Sequence, residues 1–244
     1  MTIPVITGMR GNHVLARGSQ NGRTGAGVMI KSFVGVEAAA NPSIFEDLFR
    51  LRHEIYIVRR KWGALRAEDG LERDGYDNSD AVYLIGLSPE GKVNCGLRLL
   101  PTTVDHLFRD HFQHLAPAGL PQGDNVYELT RFFIATTRVA SRHRQRMIAI
   151  LGAALFEYCL ARGIETIICV TDAFLLPTMQ SLHWRPRPLG LPSKYPEGIA
   201  VGVAIEISED TLDRLRATHG IDGAVLDEPL ERALLAASLP AQMH

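Results

Sequence analysis

The sequence predicts a mixed α/β sandwich rather than a doubly wound parallel sheet. Two strands joined by a turn, at 81–87 and 93–100, are followed by a third at 125–135, which is typical of an antiparallel meander. A long helix over 143–162 then leads into a continuous apolar run at 165–173, which is typical of a buried strand. With 244 residues, 46% of them hydrophobic, the chain is long enough to bury a substantial core.

The N-terminal part begins with residues 1–28, which are rich in glycine and polar groups and predict a flexible segment. A single domain is predicted over 29–240, with a first strand at about 28–38. A helix is predicted next, because Asn41 suits its N-cap and Pro42 its first turn. Its apolar residues recur at helical spacing and predict a core-facing stripe of Ile44, Leu48, Leu51, Ile55 and Val58.

The remaining segments complete the sandwich. Helical patterns occur at 104–115 and 174–182, and a last strand is predicted at 199–207. The tail as far as residue 240 is predicted to be largely helical.

Composition excludes several classes of protein. A net charge of −1 gives no whole-molecule attraction to nucleic acid. The three cysteines form no C-x-x-C pair, which predicts neither a disulfide framework nor a zinc site and favours a reducing cytoplasm. No run of about 18 apolar residues occurs, so no membrane span is predicted. An uninterrupted apolar signal segment is also missing from the start of the sequence.

A basic and aromatic group lies near the end of the first helix. Arg52 and Tyr56 are four residues apart, which makes them neighbours on a helix, and Trp62 follows shortly after. They could offer a guanidinium to a carboxylate and aromatic faces to a flat or cationic ligand. The alternative, which is the commoner outcome for aromatic residues at this spacing, is an amphipathic helix packed on the core.

Carboxylates crowd the stretch "LERDGYDNSD", residues 71–80, which we call the acidic segment. Asp74 and Asp77 could hold an ammonium or sulfonium group, or orient arginines by bidentate pairing. A solvated acidic loop is the alternative. Arg98 lies in the apolar stretch "NCGLRLLP" and needs a partner if it is buried, for which Asp74 or Asp77 is a candidate. An outward-facing arginine on a half-exposed strand is the other interpretation.

Glu128 and Arg131 lie three residues apart in the strand "YELTRFF". Glu128 could be a general base if burial raised its pKa. Residues three apart point to opposite faces of a regular strand, so both line one cleft only if a bulge intervenes. The alternative is one inward and one outward charge.

The basic stretch "RVASRHRQRM" begins the second long helix. Arg142, Arg144 and Arg146 would lie near a helix N-terminus, which suits a phosphate or an acidic protein surface. A solvated basic helix start is the alternative. His106 and the histidines at 111 and 114 do not have the spacing of a common zinc site, so no metal is predicted.

The order of these signals resembles the acyl-homoserine lactone synthases, the autoinducer synthases of bacterial quorum sensing. The resemblance runs through "LRHEIY", "ERDGYD", "CGLRLLPT" and "ELTRFF" and covers about residues 30–210. Tyr56 stands where many members carry Phe, and the "RHEIY" variant looks like members that take acyl groups from CoA. The matching positions are Arg52, Trp62, Asp74, Asp77, Arg98, Phe112, Glu128 and Arg131.

The resemblance implies a GNAT-like three-layer sandwich, with a mixed, V-splayed central sheet flanked by helices. The amine of S-adenosylmethionine would attack an acyl thioester carried by acyl carrier protein or CoA. Its carboxylate would then close a lactone and expel methylthioadenosine. S-adenosylmethionine is a substrate here, so no cofactor or metal is expected. The rivals are a GNAT-type N-acyltransferase that uses acyl-CoA and a different amine acceptor, and a non-catalytic sensor on the same fold.

The resemblance also implies roles for the charged residues. Asp74 and Asp77 would orient arginines of the site, above all Arg98. Arg52 would hold the substrate carboxylate or brace the loop. Glu128 would take the ammonium proton, directly or through a water.

The other implied roles concern the two substrates. Tyr56 and Trp62 would pack on S-adenosylmethionine, and Arg131 would steady Glu128 or the ligand carboxylate. Phe112 would shape the acyl side. The basic residues at 138–146 would receive carrier-protein phosphopantetheine or CoA phosphates. The length of the acyl group would be set by apolar residues of the later strands, with Ile167, Ile168, Val170 and Leu175 as candidates.

Overall fold

The computed structural model describes residues 29–62, 67 and 69–227. The strands are β1 Ile30–Val34, β2 Val82–Leu87, β3 Val93–Pro101, β4 Val126–Ile134, β5 Thr166–Asp172, β6 Arg187–Pro188, β7 Ser193–Tyr195, β8 Gly198–Glu206 and β9 Leu226–Asp227. They form one nine-stranded sheet in the order β6-β8-β5-β4-β3-β2-β1-β9, and β7 also pairs with β8.

The sheet divides where β4 meets β5. Strands β1 to β4 form an antiparallel meander, and β5 pairs antiparallel with β8. β4 and β5 are parallel, and their ladder joins residues 126–128 to residues 166–168. β4 has nine residues and β5 has seven, so most of each strand is not paired with the other. Beyond the short ladder the two strands diverge like the arms of a V. The predicted mixed, splayed sheet is confirmed.

Helices cover both faces of this sheet. The α-helices are α1 Pro42–Arg52, α2 Leu107–Phe112, α3 Ser141–Leu160, α4 Leu176–Ser181 and α5 Glu209–His219. Short 3₁₀ turns lie at Gly35–Glu37, Gln113–Leu115 and Ala173–Leu175, and a π-helix at His53–Arg59 continues α1. Side chains of α3, α4 and α5 share one core with Leu84, on what we call the back face. Those of α1 and α2 pack on the opposite, front face, which gives the expected GNAT-like three layers.

The front face carries two separate cores. One packs α1 against β1 to β4 and contains Leu48 and Tyr83. The other packs α2 against β5 and β8 and contains Phe108 and Ile168. The middle of the front face is thereby left to the polar side chains of β3 and β4.

The first helix changes its winding halfway, so the predicted core-facing stripe is wrong at its end. A regular α-helical period would bury Ile55 and Val58, but Tyr56 is buried instead and Val58 is 57% exposed. The hydrogen bond from Arg60 N to Ile55 O (3.2 Å) closes a wider turn. Such a turn contains one extra residue and moves the buried position along by one.

The ends of several elements also differ from expectation. Asn41 precedes α1, but its side chain donates to Glu37 O (3.0 Å) instead of capping the helix. The tail is helical at α5, which ends at Gly220 in the left-handed conformation (φ 59°), and the unpredicted strand β9 then pairs with β1. The short strands β6 and β7 were not predicted either. The segment 1–28 lies outside the described residues, as does 228–240, so the domain boundaries stay a prediction.

The three cysteines are free and buried. Burial raises the pKa of each thiol far above its ordinary value, which keeps Cys95, Cys159 and Cys169 protonated. In the part of the chain that the structure describes, no helix combines the length and apolarity that crossing a bilayer requires.

The acidic segment packs directly on Gly35, just after β1. A methyl group on Gly35 would lie 1.8 Å from the backbone carbonyl oxygen of Asn78, which can move only if the segment moves. We therefore expect Gly35→Ala to lower the free energy of unfolding by about 1–3 kcal/mol, the usual cost of overpacking. Urea denaturation measures this change.

Gly75→Ala is the matched control, because it lies in the same segment and its added methyl group would meet nothing within 4 Å. We expect it to change stability by less than about 0.5 kcal/mol. Equal urea midpoints for the two variants would show that the contact at Gly35 does not constrain the segment.

Candidate active site

Charged side chains from four distant parts of the chain lie together between the two cores of the front face. The side chain of Asp74 is 17% exposed, and every other member is 3% exposed or less. Three guanidinium groups face three carboxylates, so the group is neutral overall. We call it the charge cluster, and its members are Arg52, Glu72, Asp74, Asp77, Arg98 and Arg131.

Arg52 ends α1 and points into the acidic segment. Its Nε donates to Glu72 Oε2 (2.5 Å), and its Nη1 and Nη2 donate to the two oxygens of Asp77 (2.8 and 2.9 Å). Bidentate pairing of this kind fixes the orientation of both planar groups. Arg52 therefore braces the acidic segment, and its guanidinium is not open to a ligand carboxylate.

Arg98 stands on β3, opposite Thr130 of β4. Its Nη1 and Nη2 donate to the two oxygens of Asp74 (2.6 and 3.0 Å), and Nη1 lies 2.8 Å from Asp77 Oδ1. Its Nε donates to Thr130 Oγ1 (3.0 Å). Arg98 is thus buried and paired with both of the carboxylates that the sequence offered as candidates.

Arg131 reaches the front face through a β-bulge. Residues 96–98 of β3 oppose residues 130–133 of β4, so β4 has one residue more in this interval. Arg131 itself adopts the left-handed backbone conformation (φ 52°). The bulge brings Arg131 to the same face as Glu128. Without a bulge, two residues three positions apart on a strand would point to opposite faces.

The guanidinium of Arg131 closes the charge cluster. Its Nη2 donates to Glu72 Oε1 (2.6 Å) and Asp74 Oδ2 (2.7 Å), and its Nε donates to Glu72 Oε2 (3.2 Å). The ring of Tyr56 lies over it, with the Cζ atom 5.6 Å from the ring centroid. Tyr56 in turn stacks on Trp62, at 4.9 Å between centroids and 8° between planes.

The charge cluster stays ionised although it is buried. Burial alone would raise the pKa of Glu72, but the charges of the neighbouring arginines outweigh burial and lower it to about 2. The same competition lowers the pKa of Asp74 and Asp77. Conversely, burial would lower the pKa of Arg52 and Arg98, and their carboxylate partners raise it well above the ordinary value. Each charge is therefore stable only in the presence of its partners.

Glu128 lies on the front face of β4 and is fully buried. Its Oε2 lies 3.2 Å from His106 Nδ1, and its Oε1 accepts a hydrogen bond from Phe108 N (2.9 Å). Burial raises the pKa of Glu128, and the hydrogen bond and charge of His106, with the charge of Arg98, only partly oppose this. A carboxylate whose pKa is raised toward neutrality is better suited to accept a proton.

A cavity of about 440 Å³ opens between the parted ends of β4 and β5. Its inner part is apolar and is lined by Phe132, Ile148, Leu175, Met179, Leu182 and Trp184. Its mouth is polar and is lined by Arg59, Arg60, Thr136, Asp172, Tyr195 and Glu197. A space of this size and character suits an apolar ligand with a polar head.

Trp62 connects the cavity with the charge cluster, because it lines the cavity and also stacks on Tyr56. Glu128 and the charge cluster do not line the cavity. Of the residues considered for setting acyl length, Leu175 lines the cavity. The other three, Ile167, Ile168 and Val170, pack in the cores of the sheet instead.

Phe112 and the basic residues of α3 lie away from this cavity. Phe112 packs on Phe108, with 6.5 Å between ring centroids, in the front core around α2. Arg144 donates to two backbone carbonyls of the loop between β4 and α3, and Arg146 donates to two at the end of α5. Arg142 is exposed, with its Nε 2.9 Å from a ring nitrogen of His143. A role of these arginines in binding the acyl donor stays a prediction.

Two members of the site were not identified from the sequence. Glu72 is a carboxylate of the acidic segment, but its spacing does not distinguish it from Asp80, which is exposed. His106 was considered only as a metal ligand. Its partner, Glu128, is 22 residues away along the chain and becomes a neighbour only through the fold.

Comparison with known proteins finds relatives over most of the chain. The autoinducer synthase family matches residues 37–215. The isovaleryl-homoserine lactone synthase of Bradyrhizobium diazoefficiens is 34% identical over 208 residues, which cover 83% of this chain and 93% of that protein. An acyl-homoserine-lactone synthase of Rhizobium etli is 29% identical over 175 residues, which cover 71% of this chain and 82% of that protein.

Solved structures agree with these relatives. The CoA-dependent acyl-homoserine lactone synthase BjaI, solved with S-adenosylmethionine and isopentyl-CoA, superposes with a TM-score of 0.77 and 31% identity. The match covers 86% of this chain and 99% of that one. The CoA-dependent synthase MesI superposes with a TM-score of 0.74 and 28% identity, covering 82% of this chain and 100% of that one.

Stability should depend on acid pH through the charge cluster. The pKa of Glu72 in the folded protein is about 2, below its ordinary value of 4.5, so its contribution is present above pH 4.5 and is lost as the pH falls toward 2. Glu72→Gln leaves two buried guanidinium groups short of a carboxylate and should lower the free energy of unfolding at pH 7 by about 3–5 kcal/mol. Urea denaturation at pH 7 and pH 3 should show a smaller acid-induced loss in this variant than in the wild type.

The control is Glu90→Gln, because Glu90 is exposed on the turn between β2 and β3. We expect it to change stability at pH 7 by less than about 0.5 kcal/mol. The same loss of stability between pH 7 and pH 3 in wild type and Glu72→Gln would contradict the assignment of Glu72.

Proposed function

The chain belongs to the autoinducer synthase family, and from this premise we propose that it synthesises an N-acyl-L-homoserine lactone. The substrates are S-adenosylmethionine and an acyl thioester, and methylthioadenosine is released. The observation that carries the proposal is the junction on the front face, where the charge cluster meets an apolar cavity through Tyr56 and Trp62. An acyl thioester needs such a cavity, and a charged nucleophile needs a preorganised polar wall beside it.

The reaction makes two bonds at one substrate molecule. The amine nitrogen attacks the thioester carbonyl, so that a C–N bond forms, the C–S bond breaks and the thiol leaves with one proton. The carboxylate then attacks the γ-carbon, and the bond from that carbon to the sulfonium sulfur breaks to give neutral methylthioadenosine. Because the carboxylate and the γ-carbon are already tethered, ring closure requires mainly orientation. We infer that no cofactor beyond the two substrates is needed.

Glu128 is our candidate for the group that removes a proton from the substrate ammonium, which has no lone pair until it is deprotonated. Its buried position raises its pKa, and His106 and Phe108 hold its two oxygens in place. Since Glu128 does not line the cavity, we propose that a water relays the proton.

The charge cluster acts, in this proposal, as a rigid wall beside Glu128. Asp74 and Asp77 orient Arg98, and Arg131 ties β4 to the acidic segment. Within the described residues, Arg131 Nη1 is a buried donor without a hydrogen-bond partner, so it remains available to a buried water.

We propose acyl-CoA rather than acyl carrier protein as the donor. Support comes from the CoA-dependent synthases BjaI and MesI, of which the chain covers 99% and 100%. The acyl group would occupy the apolar part of the cavity, where Trp184 packs on Phe132 (6.2 Å) and Phe156 (5.8 Å). We infer that the enzyme works in the cytoplasm, where its free thiols stay reduced and both substrates are available.

Mass spectrometry tests the reaction and the donor together. Purified protein with S-adenosylmethionine and isovaleryl-CoA should release methylthioadenosine and a lactone, and kcat/KM should be at least about tenfold higher than with the same acyl group on acyl carrier protein. Acylation of other amines without methylthioadenosine would instead indicate a GNAT-type N-acyltransferase. A higher kcat/KM with the carrier protein would contradict the choice of donor.

Glu128→Gln tests the proton acceptor. The amide keeps the size of the side chain but cannot accept a proton, so we expect kcat to fall by at least about tenfold while the Kd for S-adenosylmethionine changes by less than about threefold. Glu206→Gln, at the exposed end of β8, is the control and should keep wild-type turnover. Unchanged kcat in Glu128→Gln would exclude Glu128 as the base.

A further inference from the structure

We propose that Arg60 and Asp172, which line the cavity mouth from two different elements, bind the α-carboxylate and the α-ammonium of S-adenosylmethionine. The assignment rests on the proposed function, which supplies the substrate, and it names residues outside the positions that matched the family.

The charge cluster does not offer a free cation for the carboxylate. Arg52 and Arg98 have bidentate carboxylate partners, and Arg131 donates to two carboxylates. All three are buried behind the Tyr56–Trp62 pair and do not line the cavity. To pair with any of the three, a substrate carboxylate would have to leave the cavity and enter this buried cluster, where it would compete with the carboxylates already there.

Arg60 differs from the arginines of the charge cluster because its guanidinium lacks a carboxylate partner among the described residues. It follows the π-helix, is half-buried and lines the cavity. Its guanidinium lies over the ring of Trp62, 5.6 Å from the centroid. Among the described residues it has neither a hydrogen-bonding nor an ion-pairing partner, unlike the adjacent Arg59, which pairs with Glu54. A half-desolvated guanidinium with unused donors is suited to binding a carboxylate.

Asp172 is the corresponding anion. It ends β5, is 2% exposed and lines the same cavity. The hydroxyl of Tyr195 donates to its Oδ1 (2.5 Å), and no cationic side chain of the described residues lies within ion-pairing distance of it. Gly198 permits this arrangement, because a methyl group there would lie 2.8 Å from Asp172 Oδ1. Burial raises the pKa of this carboxyl group, and the Tyr195 hydrogen bond and the charge of Arg60 partly oppose that rise.

Arg60 and Asp172 line the same cavity but do not pair with each other. The charge of Arg60 lowers the pKa of Asp172 and the charge of Asp172 raises that of Arg60, although burial is the larger influence on each. Since neither has an ion-pairing partner within 4.0 Å among the described residues, a gap separates them. An amino acid, whose ammonium and carboxylate are attached to one carbon, can bridge such a gap and neutralise both groups.

Calorimetric titration with three related ligands, without acyl donor, tests each half of the assignment. S-adenosylmethionine has both groups, decarboxylated S-adenosylmethionine keeps the ammonium but lacks the carboxylate, and methylthioadenosine lacks both. We expect Arg60→Gln to weaken binding of S-adenosylmethionine by at least about tenfold and of the other two ligands by less than about twofold. Asp172→Asn should weaken both ammonium-bearing ligands by at least about tenfold and spare methylthioadenosine.

Two further variants separate recognition from damage to the fold. Arg60→Lys keeps the charge and should retain part of the lost affinity. Arg50→Gln makes the matched change on the exposed side of α1, where Arg50 pairs with Glu46, and should bind all three ligands like the wild type. Equal weakening of all three ligands by Arg60→Gln and by Asp172→Asn, or no weakening, would overturn the assignment. Wild-type protein that binds none of the ligands would instead contradict the proposed function itself.

Discussion

The burial of three guanidinium groups on one face of a sheet is the constraint on which the rest of the site depends. Each ion removed from water costs several kcal/mol, so Arg52, Arg98 and Arg131 can lie there only if carboxylates meet them. The acidic segment supplies all three carboxylates between residues 72 and 77 and is held by them against α1, β3 and β4. Buried ion pairs often add little net stability compared with apolar residues of similar volume. We infer that the cluster serves mainly to fix four separate pieces of chain in one geometry.

Carboxylate pairing within the cluster has a consequence for recognition. Because the buried arginines have their partners, the cluster can shape the site and set its electrostatic field without binding the charges of a substrate directly. The open ionisable groups lie at the cavity mouth, on the other side of the Tyr56–Trp62 stack. Trp62 links the two regions, since it stacks on Tyr56, which covers Arg131, and also lines the cavity. The charge cluster thus provides the rigid support, and the neighbouring cavity mouth provides the ligand contacts.

The sequence contains enough to predict the strands of the meander and the charged positions, because alternation, turns and the cost of an unpaired buried arginine are local signals. That cost predicts a partner for Arg98 only if the side chain is buried, and the structure shows that it is. The shift at Tyr56 could not be predicted, because helical periodicity assumes α-helical winding, whereas residues 53–59 form a π-helix that buries Tyr56 against Trp62. The cavity depends on where β4 stops pairing with β5, and each strand's own pattern carries no information about that point.

Arg131 shows how the charge cluster and the cavity are connected. In a regular strand its side chain would point to the back face, where Leu129 packs in the apolar core, and an unpaired guanidinium there would cost several kcal/mol. The left-handed backbone of Arg131 costs about 1–3 kcal/mol, so the bulge is the smaller penalty. It also turns Phe132 toward the back core and the cavity, and bulges increase local twist. This happens just beyond residue 128, where β4 leaves β5. We infer that one inserted residue both places the charge on the front face and helps to open the V.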